Sequence, residues 1–431
     1  MSNNIVKSIL SSSIGNVLEW YEYTLYAYFA TVIGKLYFPM EDHFIAMLMT
    51  FATFAIGLLA RPIGGIIFGY MGDRFSRKQT LMFTMLLMSI PTVLIGCLPT
   101  YAQIGIAAPI LLVLLRIMQG IALGGEFGTS CVYLFESVPV NKRGFFGSIA
   151  LTGVGLGLVL SSCTIYIVES FASEEAIYAY AWRLPFFISV AGSLIVFYMR
   201  KTLLETDDFM IAKKTNSLVA NPLKEMFKNH KATLLSLFAI FLTTQVSFFV
   251  VFIYGKTMMI DFLQFPSAKA GQFILFTVMS YTVSTVIFGY LSDKIDKKII
   301  ILLGTIGIFC AAIPFINALK EGEAINILSM TIAMGALIGM TEGTLNPLVA
   351  GSFPTNIRAT SVAFCWNFTA VAFGGVAPIL SMWLIENAGG VDAVAYYLMG
   401  VCVVSIVSLL WALVTKSLTR EETRLQRQTA G

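Results

Sequence analysis

Twelve mostly apolar stretches, most of them 19 residues or longer, recur along the chain, and short polar segments separate them. A helix that crosses a bilayer needs about 20 apolar residues, so each stretch predicts a transmembrane helix. The spans lie near residues 10–34, 44–69, 79–97, 108–136, 145–169, 182–200, 232–255, 268–291, 299–318, 325–352, 359–385 and 395–415. The pattern therefore predicts an all-α membrane protein.

One long polar segment, "KTLLETDDFMIAKKTNSLVANPLKEMFKNHK", occupies residues 201–231 and divides the spans six and six. About 30 residues cannot build a hydrophobic core of their own. We therefore predict an N-terminal six-helix bundle over 1–200, a cytoplasmic linker with short amphipathic helices over 201–231, and a C-terminal six-helix bundle over 232–431 that ends in a short cytoplasmic tail.

Two motifs occur twice, once in each half. "FGYMGDRFSRK" at 68–78 is echoed by "FGYLSDKIDKK" at 288–298, and "PVNKR" at 139–143 is echoed by "PTNIR" at 354–358. The two echoes keep the same order and nearly the same offset. They predict a duplicated six-helix unit, the architecture from which rocking transporters are built.

Composition supports the membrane assignment and excludes other classes. The chain is 57% hydrophobic and 12% charged, whereas soluble domains carry about 25% charged residues. A net charge of +4 without a basic stripe argues against a nucleic-acid partner. The six cysteines and two histidines form no ligand motif, so neither metal nor cofactor is expected. No nucleophile–base pair suggests an enzyme.

Charge also predicts orientation. With the N-terminus in the cytoplasm, 21 of the 28 Lys and Arg residues fall on the cytoplasmic side and five on the outer side. The positive-inside rule therefore places both termini in the cytoplasm. The first span has no cleavage signature, which indicates a retained helix rather than a signal peptide.

The first span, "GNVLEWYEYTLYAYFA" at 15–30, carries two acids where lipid-facing residues are expected. A charge at a helix centre costs about 2.5–3.5 kcal/mol on insertion scales, so such residues usually face a cavity. Glu19, Glu22, Tyr23 and Tyr26 fall within an arc of about 100°, and Trp20 lies beside them. They can line a substrate pocket, or the acids can be structural partners of a neighbouring helix.

The fourth span contains Arg116, Gln119 and Glu126 among several glycines. Arg116 is the cation that we expect deepest in the bilayer, so it is a candidate for binding a substrate carboxylate. A carboxyl whose pKa changes with its surroundings can carry a proton. In a proton-coupled carrier we therefore expect Glu126 or Glu22 to be protonated from outside and to release the proton to the cytoplasm, with Glu19 and Glu342 as further candidates for proton coupling.

The second half offers fewer candidates. Glu342 in the tenth span, and Trp366 and Asn367 in the eleventh, can complete the cavity, although packing between helices explains them equally well. The repeated motifs can form a cytoplasmic gate, or they can be topology signals alone. The gate candidates are Arg61, Gly69, Asp73, Arg74, Arg77, Arg143, Asp293 and Arg358.

"GYMGDRFSRK" resembles the loop motif of the major facilitator superfamily, with Ser76 where that family usually has glycine. "GNVLEWYEY", "RIMQGIALGGEFG", "WRLPFF" and "FPTNIRATSVAFCWNFTAVAFGG" resemble its metabolite:proton symporter branch, which includes permeases for proline and betaine, 2-oxoglutarate, citrate and shikimate. Glu22 stands where the branch commonly has aspartate. The second loop copy also departs from the motif, with Asp296 at the matching place.

The resemblance implies two pseudo-symmetric six-helix bundles in the major facilitator fold. It also implies proton-driven import of a small molecule across a bacterial inner membrane by a chain that works as a monomer. One central cation and nearby aromatic rings favour a small zwitterion such as proline or betaine. A carboxylate importer is the alternative, and a proton-independent facilitator or exchanger and a non-transporting receptor stay open.

Overall fold

The computed structural model describes residues 3–39, 43–415 and 418, and every regular element in these ranges is helical. Eleven helices in this part of the chain are long and apolar enough to cross a membrane. The predicted cytoplasmic tail after residue 415 lies outside the described residues, apart from Leu418. The prediction of an all-α membrane protein is thus confirmed.

The helices before the linker include short pieces between the long ones. In chain order they are α1 Asn3–Tyr28, α2 Ala30–Tyr37, α3 His43–Arg74, α4 Arg77–Cys97, α5 Tyr101–Ile104, α6 Ala107–Ser137, α7 Arg143–Phe171, α8 Glu174–Ala179 and α9 Leu184–Lys201, with short 3₁₀ turns at Val140–Lys142 and Ala181–Arg183.

The remaining helices begin with two short amphipathic ones in the polar segment. They are α10 Asp207–Lys214, α11 Pro222–Asn229, α12 Lys231–Phe248, α13 Gly255–Thr257, α14 Ser267–Leu291, α15 Lys297–Glu321, α16 Ala324–Gly351, α17 Arg358–Thr369, α18 Ala377–Asn387 and α19 Asp392–Val414. Wider π-helical turns at Phe249–Tyr254, Met258–Phe262 and Ala370–Gly375 join some of them into longer rods.

The first predicted span, 10–34, is not one continuous helix. The chain breaks between α1 and α2 at Phe29, whose backbone angles are φ −90° and ψ 17°. With Glu19 and Glu22 in its sequence, α1 is not among the eleven apolar candidates. In the linker, α10 begins with two aspartates and ends with two lysines, an order that suits the helix dipole.

The chain forms two compact units that do not follow its linear halves. Unit 1 comprises Met1–Ser137, Gly153–Leu223 and Ala359–Asn367, and unit 2 comprises Val138–Thr152, Lys224–Arg358 and Phe368–Gly431. The start of α17 thus belongs to unit 1, and the start of α7 belongs to unit 2.

Glycines at every fourth residue allow one helix pair in each unit to pack backbone against backbone. In unit 1, a Cβ at Gly120 or Gly124 of α6 would collide with backbone carbonyls of α3. In unit 2, Gly335, Gly339 and Gly343 of α16 face the backbone of α14 in the same way. The two columns are related by the 215-residue offset of the P-x-N-x-R motif. This close packing places the buried polar residues of α6 and α16.

Candidate functional site

Unit 1 contains a small cavity between α1, α4, α6 and α9. Three acids and one arginine line it: Glu19, Glu22, Glu126 and Arg200. Three acids buried to this degree are costly unless they are paired, protonated or functional. The cavity therefore identifies the chemical centre of this unit.

Glu126 is held by a buried ion pair. Both of its carboxylate oxygens accept from the guanidinium of Arg200, and the Thr84 hydroxyl donates to one of them. Arg200 also donates to the carbonyl of Leu81 over 2.6 Å. A Cβ at Gly15 would collide with this guanidinium, so the glycine of α1 makes room for the pair.

Arg200 is the functional residue that the sequence analysis missed, because it was counted with the cytoplasmic charges of the linker. The structure places it in the last turn of α9, almost completely buried. Its position was a usable signal, since Arg200 is the last residue of the sixth predicted span, 182–200.

Glu22 is surrounded by hydroxyl groups. It accepts hydrogen bonds from Thr92 over 3.1 Å and from Ser193 over 3.1 Å. The amide of Gln119 donates to the Thr92 oxygen over 2.7 Å, and Gln119 itself accepts from Arg116 over 2.8 Å. A chain of polar contacts thus connects Arg116 to the acid in the cavity.

Glu19 has the least support of the three acids. Its side chain is buried, and neither carboxylate oxygen has a hydrogen-bond partner within the described part of the chain. Arg61 and Arg200 attract it electrostatically, while Glu126 and Glu22 repel it. A buried carboxylate without a donor is expensive to keep ionised.

Arg116 is fully buried under three aromatic rings. Its guanidinium carbon lies 4.9 Å from the ring centre of Tyr23, 4.4 Å from that of Tyr26 and 5.1 Å from that of Phe54. Its Nε and Nη2 atoms have no hydrogen-bond partner among the described residues. These two donors form a fork that matches a carboxylate.

The other aromatic candidates in unit 1 lie near this cluster or against Phe127. Trp20 packs edge-on against Tyr23 at 6.2 Å, and Trp366 packs edge-on against Phe127 at 4.9 Å. The hydroxyl of Tyr23 has no hydrogen-bond partner within the described residues. Tyr21 instead joins the apolar cluster of α1 and donates to the carbonyl of Pro185.

Both side-chain amide protons of Asn367 are engaged by protein contacts. Its amide donates to the carbonyls of Gly124 and Ala363 over 2.6 and 2.7 Å, and its oxygen accepts from Arg61 over 3.2 Å. The structure thus places Arg61 in direct contact with Asn367. In unit 2, Glu342 accepts from the hydroxyl of Tyr281 over 2.5 Å.

The two repeated loop acids bind the starts of helices. Asp73 accepts from the backbone N–H groups of Ala359 and Thr360 over 3.0 and 2.8 Å, at the first turn of α17. Asp293 accepts from Gly144 and Phe145 over 2.6 and 2.9 Å, at the first turn of α7. Both acids occupy the site that the helix dipole favours for an anion.

The surroundings of Asp73 are charged and buried. Arg77 donates to it over 2.7 Å and also contacts Glu136 over 3.3 Å, and both pairs have fully buried side chains. Arg74, by contrast, is exposed. A Cβ at Gly69 would lie 2.7 Å from the backbone of Thr360, so this glycine permits the close approach.

The arginines of the two P-x-N-x-R motifs lie at these same helix starts. Arg143 is the first residue of α7 and Arg358 is the first residue of α17. Arg358 donates from Nε to the carbonyls of Ala350 and Phe353 over 3.0 and 3.2 Å, at the end of α16. Both arginines are buried.

Known proteins resemble the chain along most of its length. It is 30% identical over 411 residues to a proline/betaine transporter of Salmonella typhimurium, covering 93% of this chain and 82% of that protein. It is 31% identical to the glycine betaine/proline/ectoine/pipecolic acid transporter OusA of Dickeya dadantii, over 93% of this chain and 82% of that one. It is 32% identical to the Escherichia coli inner membrane metabolite transport protein YhjE, over 95% and 94%.

The fold has solved relatives as well. The proton:xylose symporter XylE superimposes with a TM-score of 0.80 at 17% identity, over 98% of this chain and 99% of that one. The chain is therefore a multi-pass transport protein rather than an enzyme, and the predicted inner-membrane location is that of the YhjE relative.

The family profile described as Major Facilitator Superfamily matches residues 13–377. Together with the transporter relatives and the XylE fold, this match establishes that the chain belongs to the major facilitator superfamily.

Proposed function

We propose that this protein imports a small zwitterionic solute, such as proline or glycine betaine, by proton symport with alternating access. The observation that carries the proposal is the cavity of unit 1, where Glu19, Glu22 and Glu126 are buried together beside Arg200. A cluster of buried acids is what a proton-coupled carrier requires. The names of the relatives at about 30% identity support the choice of solute.

Substrate contacts are proposed for Arg116, Gln119, Trp20, Tyr23, Tyr26, Trp366 and Asn367. The Nε and Nη2 donors of Arg116, buried and without partners in the described chain, suit a carboxylate. The same fork favours the second candidate, a carboxylate importer, because it recognises the group that both solute classes share. Glu342 is retained as a further candidate for proton coupling.

The gate is proposed at the cytoplasmic ends of α3 and α14. Release of Asp73 from the start of α17, and of Asp293 from the start of α7, would open this side. The other residues proposed to form the gate are Gly69, Arg61, Arg74, Arg77, Arg143 and Arg358. We also propose that α1 and α2 supply the twelfth span and that both termini are cytoplasmic. We further propose that residues 1–200 and 232–431 each form a bundle, that residues 201–231 link them, and that the protein functions as a monomer.

Uptake by proteoliposomes tests the function. Purified protein is given radiolabelled proline, glycine betaine, other amino acids, 2-oxoglutarate, citrate and shikimate, with and without an inward proton gradient. Accumulation of a zwitterion only with the gradient is the expected result. Accumulation of carboxylates alone supports the alternative, equal uptake without the gradient indicates a facilitator, and no uptake of any solute refutes transport.

A further inference from the structure

One arginine of unit 1 lies between two glutamates in different states. The Nη atoms of Arg200 bind Glu126, while its Nε has no hydrogen-bond partner in the described chain. Glu19 lines the same cavity, and both of its oxygens are equally unpartnered. Arg200 and Glu19, each at least nine-tenths buried, thus carry a free donor and a free acceptor, and both residues line one small cavity.

The contacts assign different protonation states to the two acids. Both oxygens of Glu126 receive the guanidinium of Arg200, which supports a carboxylate ion. Glu19 receives no hydrogen bond from the described residues, and a buried ion without donors is far more costly than a neutral acid. In this conformation the proton therefore belongs on Glu19.

We propose that Arg200 is shared between Glu126 and Glu19, and that its movement onto Glu19 expels the single proton carried in each transport cycle. The inference rests on the proposed proton symport and names its coupling device. Arg200 acts here as a positioning residue, since it displaces the proton without carrying it.

The step balances as a simple acid dissociation. The O–H bond of the Glu19 carboxyl breaks, its electron pair stays on the oxygen, and the proton passes to water on the cytoplasmic side. The new carboxylate then accepts from Nε of Arg200, and Glu126 keeps the Thr84 hydroxyl. A proton from the outer solution restores neutral Glu19 when the cavity next opens outward.

The charged neighbours that act on Glu19 come from four helices. Glu22 lies on α1 itself, Arg61 on α3, Glu126 on α6 and Arg200 on α9. Arg61 is engaged by Asn367, and Glu22 is engaged by the hydroxyls of Thr92 and Ser193. Of the two arginines, Arg200 is the one that lines the cavity together with Glu19.

The experiment measures proton stoichiometry at equilibrium. Proteoliposomes with the membrane potential clamped at zero accumulate radiolabelled glycine betaine or proline at several imposed pH differences. One proton per neutral solute gives about tenfold accumulation for each pH unit, because a tenfold ratio and one pH unit represent the same free energy. The logarithmic slope expected for the unmodified protein is therefore one.

Three variants separate coupling from structure. Glu19→Gln breaks no hydrogen bond within the described residues, and we expect it to reduce the slope to zero while solute exchange between the two sides continues. Arg200→Gln should also give zero, and Arg200→Lys should restore a slope near one because it keeps the charge. The exposed Glu386→Gln is the matched control and should keep a slope of one.

A slope of one in Glu19→Gln, or a slope of two in the unmodified protein, overturns the shared-arginine mechanism. A slope of one in Arg200→Gln overturns it as well, because coupling that persists without the arginine would show that Arg200 does not expel the proton. If Arg200→Gln does not fold, Glu19→Gln and Arg200→Lys still decide. Failure of the unmodified protein to accumulate any solute with the gradient instead refutes the proposed symport.

Discussion

Replacing Arg77 with glutamine should cost far more stability than replacing Arg74 in the same motif. Arg77 is fully buried and bridges Asp73 and Glu136, and its guanidinium also lies 5.1 Å from the ring of Phe209. Removing one partner of a buried ion pair typically costs about 3–5 kcal/mol, because the other charge is left uncompensated.

The surviving contacts place the expected loss at the lower end of that range. Without Arg77, Asp73 still accepts from two backbone N–H groups, and Glu136 still accepts from the hydroxyl of Thr206 over 2.7 Å. We therefore expect Arg77→Gln to lower the free energy of unfolding by about 3 kcal/mol. The exposed Arg74→Gln should change it by less than about 0.5 kcal/mol.

Unfolding by sodium dodecyl sulfate in mixed micelles, followed by circular dichroism, measures both variants under one condition. The comparison is internal, since the two arginines are three residues apart and lose the same charge. Equal effects of the two substitutions would show that the buried network contributes no more than a surface charge, and the reasoning would then be refuted.

Three further outcomes follow from other contacts. Gly124→Ala should lower the yield of folded protein, measured by size-exclusion chromatography, and should cost about 1–3 kcal/mol through overpacking. Gly400→Ala is the control, because a Cβ at Gly400 meets no atom within 4 Å, and it should be tolerated in the same assay. Glu126→Gln should abolish uphill solute uptake and spare counterflow exchange, and full accumulation would remove it from the coupling scheme. Tyr281→Phe should cost about 1–3 kcal/mol in detergent unfolding by stranding a buried carboxylate, and a loss no larger than that of the exposed Tyr396→Phe would contradict this.

The sequence predicted the elements of this fold because apolar length alone identifies spans in lipid. It also predicted that Glu19 and Glu22 share a face, since helical periodicity is independent of what the face contacts. The break at Phe29 carried no comparable signal, because no proline or glycine marks it.

The contacts between residues of the candidate site could not be predicted from the sequence in the same way. In a soluble helix an apolar stripe shows which side is buried, but in lipid both sides of a helix are apolar, so nothing in the sequence around Arg200 shows that it faces Glu126. A helix N-terminus could be expected as the partner of Asp73, but which helix supplies it was hidden, because backbone N–H groups leave no mark in the sequence.

The hydrogen bonds from backbone N–H groups to Asp73 and Asp293 have a consequence for how such sequences diverge. Each acid binds a pair of N–H groups, which every amino acid except proline supplies. The hydrogen bonds to the acid therefore do not depend on side-chain identity at the receiving positions, as the pairs Gly–Phe and Ala–Thr already differ, while the acid must persist. Among natural variants, selection should remove proline from the second and third residues of both receiving helices, and at Gly144 it should also remove larger residues, because a Cβ there would lie 2.5 Å from the carbonyl oxygen of Gly289.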